Sequence, residues 1–588
     1  MTVAVTADST CLTSESHSLN TQETNHRWDF YFALLVAGII LFRGLLITQY
    51  GINREAGGEF DAVFQILEGK LIYRDFYWYH GFLPLYWNAL LFKIFGPQMY
   101  LMRANVVLFA ALGGFFAYKI CRLFISPPLA VIASLLSFSG LVTPLHVTGQ
   151  SIVISIEIVS FYFLLEYLNS GRFRCLFWSG LFCGIILLIQ IFPVGVVTLS
   201  GVGIAITCFF LFDSKSHIPG LKYFLLGFFP LPLICYGLLA TIVPSAELYN
   251  NLFPMFSGYE VQPGKYGSFP IPSIYPVLYP IQSMGQFIAV LNKYLFVNFR
   301  WWLIILVFVW GLVEFFIVWK NDRLEKKRLL LLGTLVLFCP IFESKFLIFT
   351  GRLGLTPSVI NMLPTYILLL YLVSLRSKLK SVALVLGVGM LTVYFAYPFG
   401  RYYWYFVKNA VPLDMPYSSG IKVSPYNKDL YKGVHEYVTH NSRREELIVV
   451  AEINRYYSVF SGRTDLFRRN FQTFLQVSFY PSRWVTGQVD KSYPIEEKIV
   501  EEIKSANVKL ILIPEGFRTD GDSHKSPFLK FLNDHWEKIA VFGDLSLKNP
   551  FDWESPMEIY QQKQTPVFAD EDQGWQTNTY PSRTTGAT

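Results

Sequence analysis

The sequence predicts an all-α membrane bundle of about eleven spans with an extracytoplasmic α/β domain at its C-terminal end. Three observations carry that expectation. The chain of 588 residues is 53% hydrophobic and only 15% charged, with a mean hydropathy of +0.38. A soluble protein would carry about a quarter charged residues. The apolar residues cluster in runs long enough to cross a bilayer, and the basic residues between runs alternate in a way that gives each loop a side. After residue 398 the pattern changes to short apolar runs alternating with amphipathic stretches.

The runs fall near 30–49, 100–121, 127–144, 151–168, 174–191, 193–212, 220–243, 301–320, 328–343, 358–375 and 380–398. Residues 1–28 form a polar, cytoplasmic tail without the basic segment of a signal peptide, so the first run reads as a retained span. With that tail inside, the inside loops hold Lys119 and Arg122, then Arg172 and Arg174, then Lys215 and Lys222. Lys320, Arg323, Lys326, Lys327 and Arg328 follow, then Arg376, Lys378 and Lys380. The short turns on the other side, near 146–150 and 191–193, hold no Lys or Arg. This is the positive-inside pattern, and it accounts for most of the net charge of +7 without a nucleic-acid partner. An odd number of spans puts the C-terminus outside. The chain then sits in the cell (inner or plasma) membrane as a multi-pass protein. Tyr and Trp, 35 and 13 residues, suit the membrane–water interface.

Three segments outside the spans are long: 50–99, 244–300 and the tail. The transmembrane domain covers 29–398, the α/β domain 399–563, and residues 564–588 are polar and read as disordered. Within the α/β domain, 429–439, 495–506 and 528–537 read as helices, and 446–451 (ELIVVA) and 508–514 (VKLILIP) as buried strands of a parallel or mixed sheet. The seven cysteines lie in or beside apolar runs or in the N-terminal tail, and none falls between 340 and 588. A disulfide framework and a zinc site are therefore excluded from the outer domain.

The loop 50–99 carries the strongest local signal. Glu55, Glu59 and Asp61 lie just beyond the first span, and Asp75 follows on a Tyr-Arg-Asp-Phe turn. Gly57-Gly58 disfavours a regular helix, which predicts a flexible acidic turn. Residues 61–68 then read as a short helix stopped by Gly69, and 82–95 as an apolar stretch broken by Pro84 and lying along the interface. Clustered carboxylates at a membrane surface are costly to desolvate, which points to a task. The plainer reading is that Asp61 caps a helix and Asp75 pairs with Arg74.

The order of acidic turn, ILEGK, IYRDF, aromatic-Gly-Leu-Pro and LLFKIFG resembles the start of GT-C-type membrane glycosyltransferases that use polyprenyl-phosphate sugars. Protein O-mannosyltransferases and lipid A aminoarabinose transferases belong to that group. The resemblance is strongest over 30–125, architectural over the other spans and loose over the tail. Gly180, Gly184 and Gln190 resemble a Gly-rich span, and Gly351-Arg352 before Pro364 resembles a late outer Arg motif. Two departures stand out: the spacing of Glu55, Glu59 and Asp61 is unusual, and Thr356, Pro357 and Ser358 stand where a His often follows the late Arg.

The resemblance implies a GT-C-like fold and transfer of a sugar from a polyprenyl-phosphate donor to an extracytoplasmic glycan, lipid or protein. Such chemistry asks for a carboxylate base, for which Glu55, Asp61 and Glu59 are the candidates. It also asks for positive charge at the leaving phosphate. Arg54, Arg74, Lys265 and Arg352 are candidates for that role, and Asp75, Tyr79, His80 and His146 for substrate contacts. No cofactor is certain. A divalent cation at the acidic turn is an alternative, though the visible ligand set is incomplete. A headgroup-facing surface residue is the plainer reading for each cation. Glu157, in mid-span, is expected to be neutral or paired, with Gln190 as one partner. The 244–300 loop is expected to be a lid or an ordered cap. In the tail, Ser461 to Asp465 with Arg468 and Arg469 reads as a turn with surface charges, or as a site for an acidic glycan. The alternatives to a transferase are a polysaccharide ligase or polymerase, a lipid-linked glycan transporter and a membrane scaffold.

Overall fold

The computed structural model describes residues 26–318 apart from 53, 79, 139–148, 191–217 and 253–298. It also describes 329, 331–333, 336, 359–375, 381–382 and 384–392, and then 407–563 apart from 452–454, 469–488, 516–525 and 549–554. Among these residues, four helices are long and apolar enough to cross a membrane: Arg27–Thr48, Met99–Arg122, Ile152–Ser170 and Gly220–Ile242. The expected spans near 193–212 and most of 328–343 lie outside the described residues, as do Lys215, Arg376 and most of the 244–300 loop.

The bundle is built from α1 (His26–Thr48), α4 (Met99–Arg122), α5 (Pro127–Phe138), α6 (Gly149–Ser170), α7 (Phe173–Ile189), α8 (Ile218–Phe228), α9 (Pro230–Ile242), α11 (Phe299–Val318) and α12 (Val359–Leu375), with the short α10 (Ser245–Leu252) following α9. A core shared by α1, α4, α5, α6, α11 and α12 joins Ala33, Val36, Tyr118, Ala133, Leu136 and Tyr366, and a second cluster joins Leu164 of α6 to Leu176 and Cys183 of α7 and Phe224 of α8. Pro230 opens α9, whose cap residue Phe229 keeps a helical backbone, so α8 and α9 follow each other as one run with a joint. Close approach between α7 and α8 needs glycine: a Cβ on Gly180 would meet the Phe224 carbonyl oxygen at 2.1 Å, and one on Gly227 the Phe177 oxygen at 2.1 Å.

Between α1 and α4 the first outer segment forms α2 (Arg54–Leu67) and α3 (Leu83–Phe95). Here two expectations are corrected. Gly57 and Gly58 do not interrupt the helix, so the three acidic residues stand on α2 and not on a flexible turn. Tertiary packing overrides propensity, because Phe60 and Val63 are fully buried. Pro84 does not break the second stretch either. It occupies the first turn of α3, where its missing N–H has no helical partner to lose. Gly69 does stop α2. Its φ of +86° turns the chain left-handed, and the Lys70 amide closes on the Gln65 carbonyl at 3.0 Å.

The C-terminal domain opens with a hairpin, β1 (Val411–Pro412) and β2 (Lys422–Val423). Its main part is a mixed five-stranded sheet ordered β4-β3-β5-β7-β6, from β3 (Leu447–Val450), β4 (Thr464–Asp465), β5 (Val508–Pro514), β6 (Trp536–Phe542) and β7 (Met557–Gln562). The β4, β3 and β5 strands run parallel, and β7 pairs antiparallel with both β5 and β6. Helices α13 (Pro425–Asn441), α14 (Tyr456–Ser461), α15 (Val489–Ser505) and α16 (Pro527–His535) connect and cover the strands. The two helices α13 and α16 start on Ser caps, Ser424 and Ser526, each followed by proline. The third predicted helix ends at His535, and Trp536 already belongs to β6.

The domain does not hang free. One continuous core contains Phe60, Ile72, Phe92 and Met102 from the membrane half together with Tyr431, Tyr456, Leu510 and Met557 from the domain. Backbone bonds splice the two halves as well. The Gly51 amide donates to the Lys422 carbonyl at 2.8 Å, and the Lys422 amide to the Gln49 carbonyl at 2.6 Å. The hairpin also caps α4, since the Met99 amide donates to the Tyr417 carbonyl at 3.0 Å. The segment after α1 and the C-terminal domain therefore lie on one side of the bundle.

Candidate functional site

The centre of the candidate site is α2. Glu55 and Glu59 stand one turn apart and share a face of it, whereas Asp61 and Gln65 start the opposite face. Glu59 is buried, 6% exposed, with Phe60 beside it. The side chains of Arg54 and Glu55 lie outside the described residues.

Asp61 is fully engaged. Arg468, from the turn after β4, donates from Nε to Asp61 Oδ1 at 2.6 Å, and Gln65 Nε2 donates to Oδ2 at 3.1 Å. The same guanidinium donates from Nη1 to both oxygens of Glu68, at 2.9 and 3.0 Å. Gln65 Nε2 also reaches the Arg468 carbonyl at 3.3 Å. Burial raises the proton affinity of Asp61, while Arg468 and, farther off, Arg455 pull it down without cancelling the effect. For Glu68 burial acts the same way but is outweighed by Arg468 and Lys70, so its carboxyl is held below the usual range. Arg468 in turn is buried against its tendency to lose charge, and the two carboxylates keep it above its ordinary value.

The tail motif is thus corrected. Asp465 is buried and paired with Arg455, with the Phe467 amide donating to its Oδ1 at 3.2 Å. Arg463 donates to the Thr439, Ser442 and Ser461 carbonyls at 3.1, 2.6 and 3.0 Å. These residues hold the domain together and do not form a surface charge patch. Arg469 lies outside the described residues.

At the next turn the plainer reading of Asp75 holds. Arg74 Nε and Nη2 each donate to one Asp75 oxygen at 2.9 Å, and the Leu71 amide donates to Oδ2 at 2.7 Å. Tyr73, with φ of +68°, is buried there and donates its hydroxyl to the His80 carbonyl at 2.6 Å. Its phenol is pushed well above the ordinary value by burial. His80 lies half-buried beside Trp78, ring centroids 5.7 Å apart. Gly81 binds the chain to the end of α7, its amide donating to the Ile189 carbonyl at 2.9 Å. A Cβ there would sit 2.0 Å from the Leu188 oxygen. Tyr79, His146, Lys265 and Arg352 lie outside the described residues. Glu157 is half-buried on α6 rather than deeply buried.

Two cations were not anticipated from the sequence. Arg43, near the end of α1, is 9% exposed, and Arg103, in the second turn of α4, is 1% exposed. Arg103 Nη1 donates to the Thr48 carbonyl at 2.9 Å, so both arginines stand at the ends of α1 and α4 that meet the α2 side. Each lies inside a long apolar run, and that rarity was the available signal. A buried amide chain adds polarity: Trp87 donates to Asn105 at 2.9 Å, and Asn105 to Asn88 at 3.1 Å. Among the described residues no group of three or more His, Cys, Asp or Glu could hold a metal ion.

The site therefore belongs to a membrane-embedded helical protein whose first loop and C-terminal α/β domain form one body. No family model matches the chain, and no curated protein matches it in sequence. Solved structures similar to it include ArnT from Cupriavidus metallidurans in the apo state, at 12% identity and TM-score 0.42, covering 93% of this chain and 98% of that one. ArnT bound to undecaprenyl phosphate covers 90% of this chain and 98% of its own, at 12% identity and TM-score 0.38. The Archaeoglobus fulgidus oligosaccharyltransferase in the apo form covers 90% of this chain and 76% of its own, at 12% identity and TM-score 0.46.

Proposed function

We propose that the chain is a GT-C-type membrane glycosyltransferase that moves a sugar from a polyprenyl-phosphate donor to an extracytoplasmic acceptor. The observation that carries this reading is the placement of Glu55 and Glu59 on a helix that begins six residues beyond the first membrane-crossing helix. A sugar on an embedded isoprenoid is presented at that height. In this reading Glu55 or Glu59 takes the proton of the acceptor as it attacks the anomeric carbon. Asp61 is committed to Arg468, so the base role passes to its two neighbours. Arg43 and Arg103 join Arg54, Arg74, Lys265 and Arg352 as candidates to neutralise the leaving phosphate.

In this reading the acceptor side is the outer one, which the distribution of basic residues supports for the first loop and the splice to that loop supports for the domain. The sugar, the acceptor and any divalent cation are open to assay. Radiolabelled polyprenyl-phosphate sugars are offered one at a time to membranes holding the full chain, with and without added Mg2+ or Mn2+. Transfer from one of them is expected. Replacing the base by its amide, Glu55→Gln or Glu59→Gln, should lower turnover by roughly 10²–10⁴-fold with expression unchanged. Full turnover in both variants would remove the proposed site.

A further inference from the structure

We propose that Arg468 is a positioning residue through which the C-terminal domain fixes α2 at the membrane face. Its consequence for turnover rests on the transferase reading above. An isolated helix of 14 residues is marginal in water, and α2 carries adjacent glycines in its first half. Its order must come from outside contacts. Phe60 packs against Tyr417 and Tyr456 of the domain, with ring centroids 6.3 and 5.8 Å apart. Those contacts are apolar and carry no directional bond to α2.

Arg468 supplies directional bonds. Its side chain spans Asp61 and Glu68, two turns apart, and its carbonyl accepts from Gln65 between them. Positions 61, 65 and 68 follow one face, so a single residue clips the second half of α2 and the residue just past its end. Glu55 and Glu59 stand on the other face, and fixing the first face fixes them. A planar guanidinium can bond two carboxylates at once in a set geometry, which the ammonium of lysine cannot reproduce. The Arg468–Asp61 pair is shielded, at 13% and 4% exposed, whereas Glu68, at 42%, meets the solvent at the outer end of the clip.

The test uses the full chain in lipid nanodiscs. Amide hydrogen exchange is followed over residues 54–67 in the wild type, Arg468→Ala, Arg468→Lys and Asp61→Asn. Protection of α2 should fall on the order of tenfold or more in Arg468→Ala and Asp61→Asn, and less in Arg468→Lys, while α4 and α6 keep theirs. With a donor identified by the sugar panel, kcat should fall by about tenfold and the donor KM should hold, because a misplaced base weakens the chemical step and not donor binding. Unchanged protection of α2, or a loosened α2 with unchanged kcat, would overturn the proposal. If Arg468→Ala does not fold, Arg468→Lys decides: intermediate protection supports the clip and wild-type protection sinks it. A wild-type protein that turns over none of the donors removes the transferase reading alone, and the exchange result still decides the clip.

Discussion

The two ends of the bundle use the same chemistry to different effect. At the far end, Arg122 donates to Asp29 at 2.7 Å, joining helices that are neighbours in the bundle, and the side chains keep 20% and 22% of their exposure. At the near end, on the side of α2, Arg468 meets Asp61 at 2.6 Å, with side chains only 13% and 4% exposed and across 407 residues of chain. The first pair adds to a contact that Phe30 and Phe115, and Phe32 and Tyr118, already make. The second joins two parts of the chain that no loop brings together. An ion pair gains leverage where water is excluded.

That contrast can be broken at its strongest point. Arg468→Ala strands Asp61 as an unpaired buried carboxylate and should cost about 3–5 kcal/mol, read as a fall in the denaturation midpoint of the purified protein. A change under 1 kcal/mol would show that the near end is no more coupled than the far one. Gly81→Ala probes the same end through the backbone. Its Cβ would meet the Leu188 carbonyl at 2.0 Å, so the outer segment must shift, at a cost of about 1–3 kcal/mol by the same measure. At the far end Asp29→Asn should cost only about 1 kcal/mol, since water reaches both partners.

The smallest effect concerns acid. Burial holds His435 of α13 below its ordinary value of 6.5, the Arg463 guanidinium adding to this and Glu436 opposing it. The unfolded chain then binds the proton at a higher pH than the folded one. His435 therefore contributes stability above pH 6.5 that is lost as pH falls through its folded value. In His435→Gln the denaturation midpoint should change less between pH 7 and pH 5 than in the wild type.

Much of this body was legible from the sequence, and the failures have identifiable causes. The run VKLILIP could hardly be anything but a buried strand, and β5 covers it residue for residue. Basic residues gave the first loop and the tail the same side, which the bonds of Gly51 to Lys422 and of Met99 to Tyr417 agree with. The β6 strand was missed because WEKIAVF lies on a sheet edge with its charged residues exposed, and so lacks a clean apolar pattern. Gly57-Gly58 misled because propensity is a weak term beside the burial of Phe60. In the site, Arg74 with Asp75 could be read from adjacency alone. Arg468 with Asp61 could not, because nothing local marks a pairing across 407 residues.

The splice between the hairpin and the outer helix ends also dictates an order of assembly. The membrane half is synthesised first, and Phe60, Ile72 and Met102 then stand without their cover until Tyr431, Leu510 and Met557 emerge much later. During that interval a hydrophobic surface stands without the half of the core that covers it. Completing the tail is thus a step in folding the loop that precedes it, and a chain cut short before the C-terminal domain would leave its oldest segment permanently unripe.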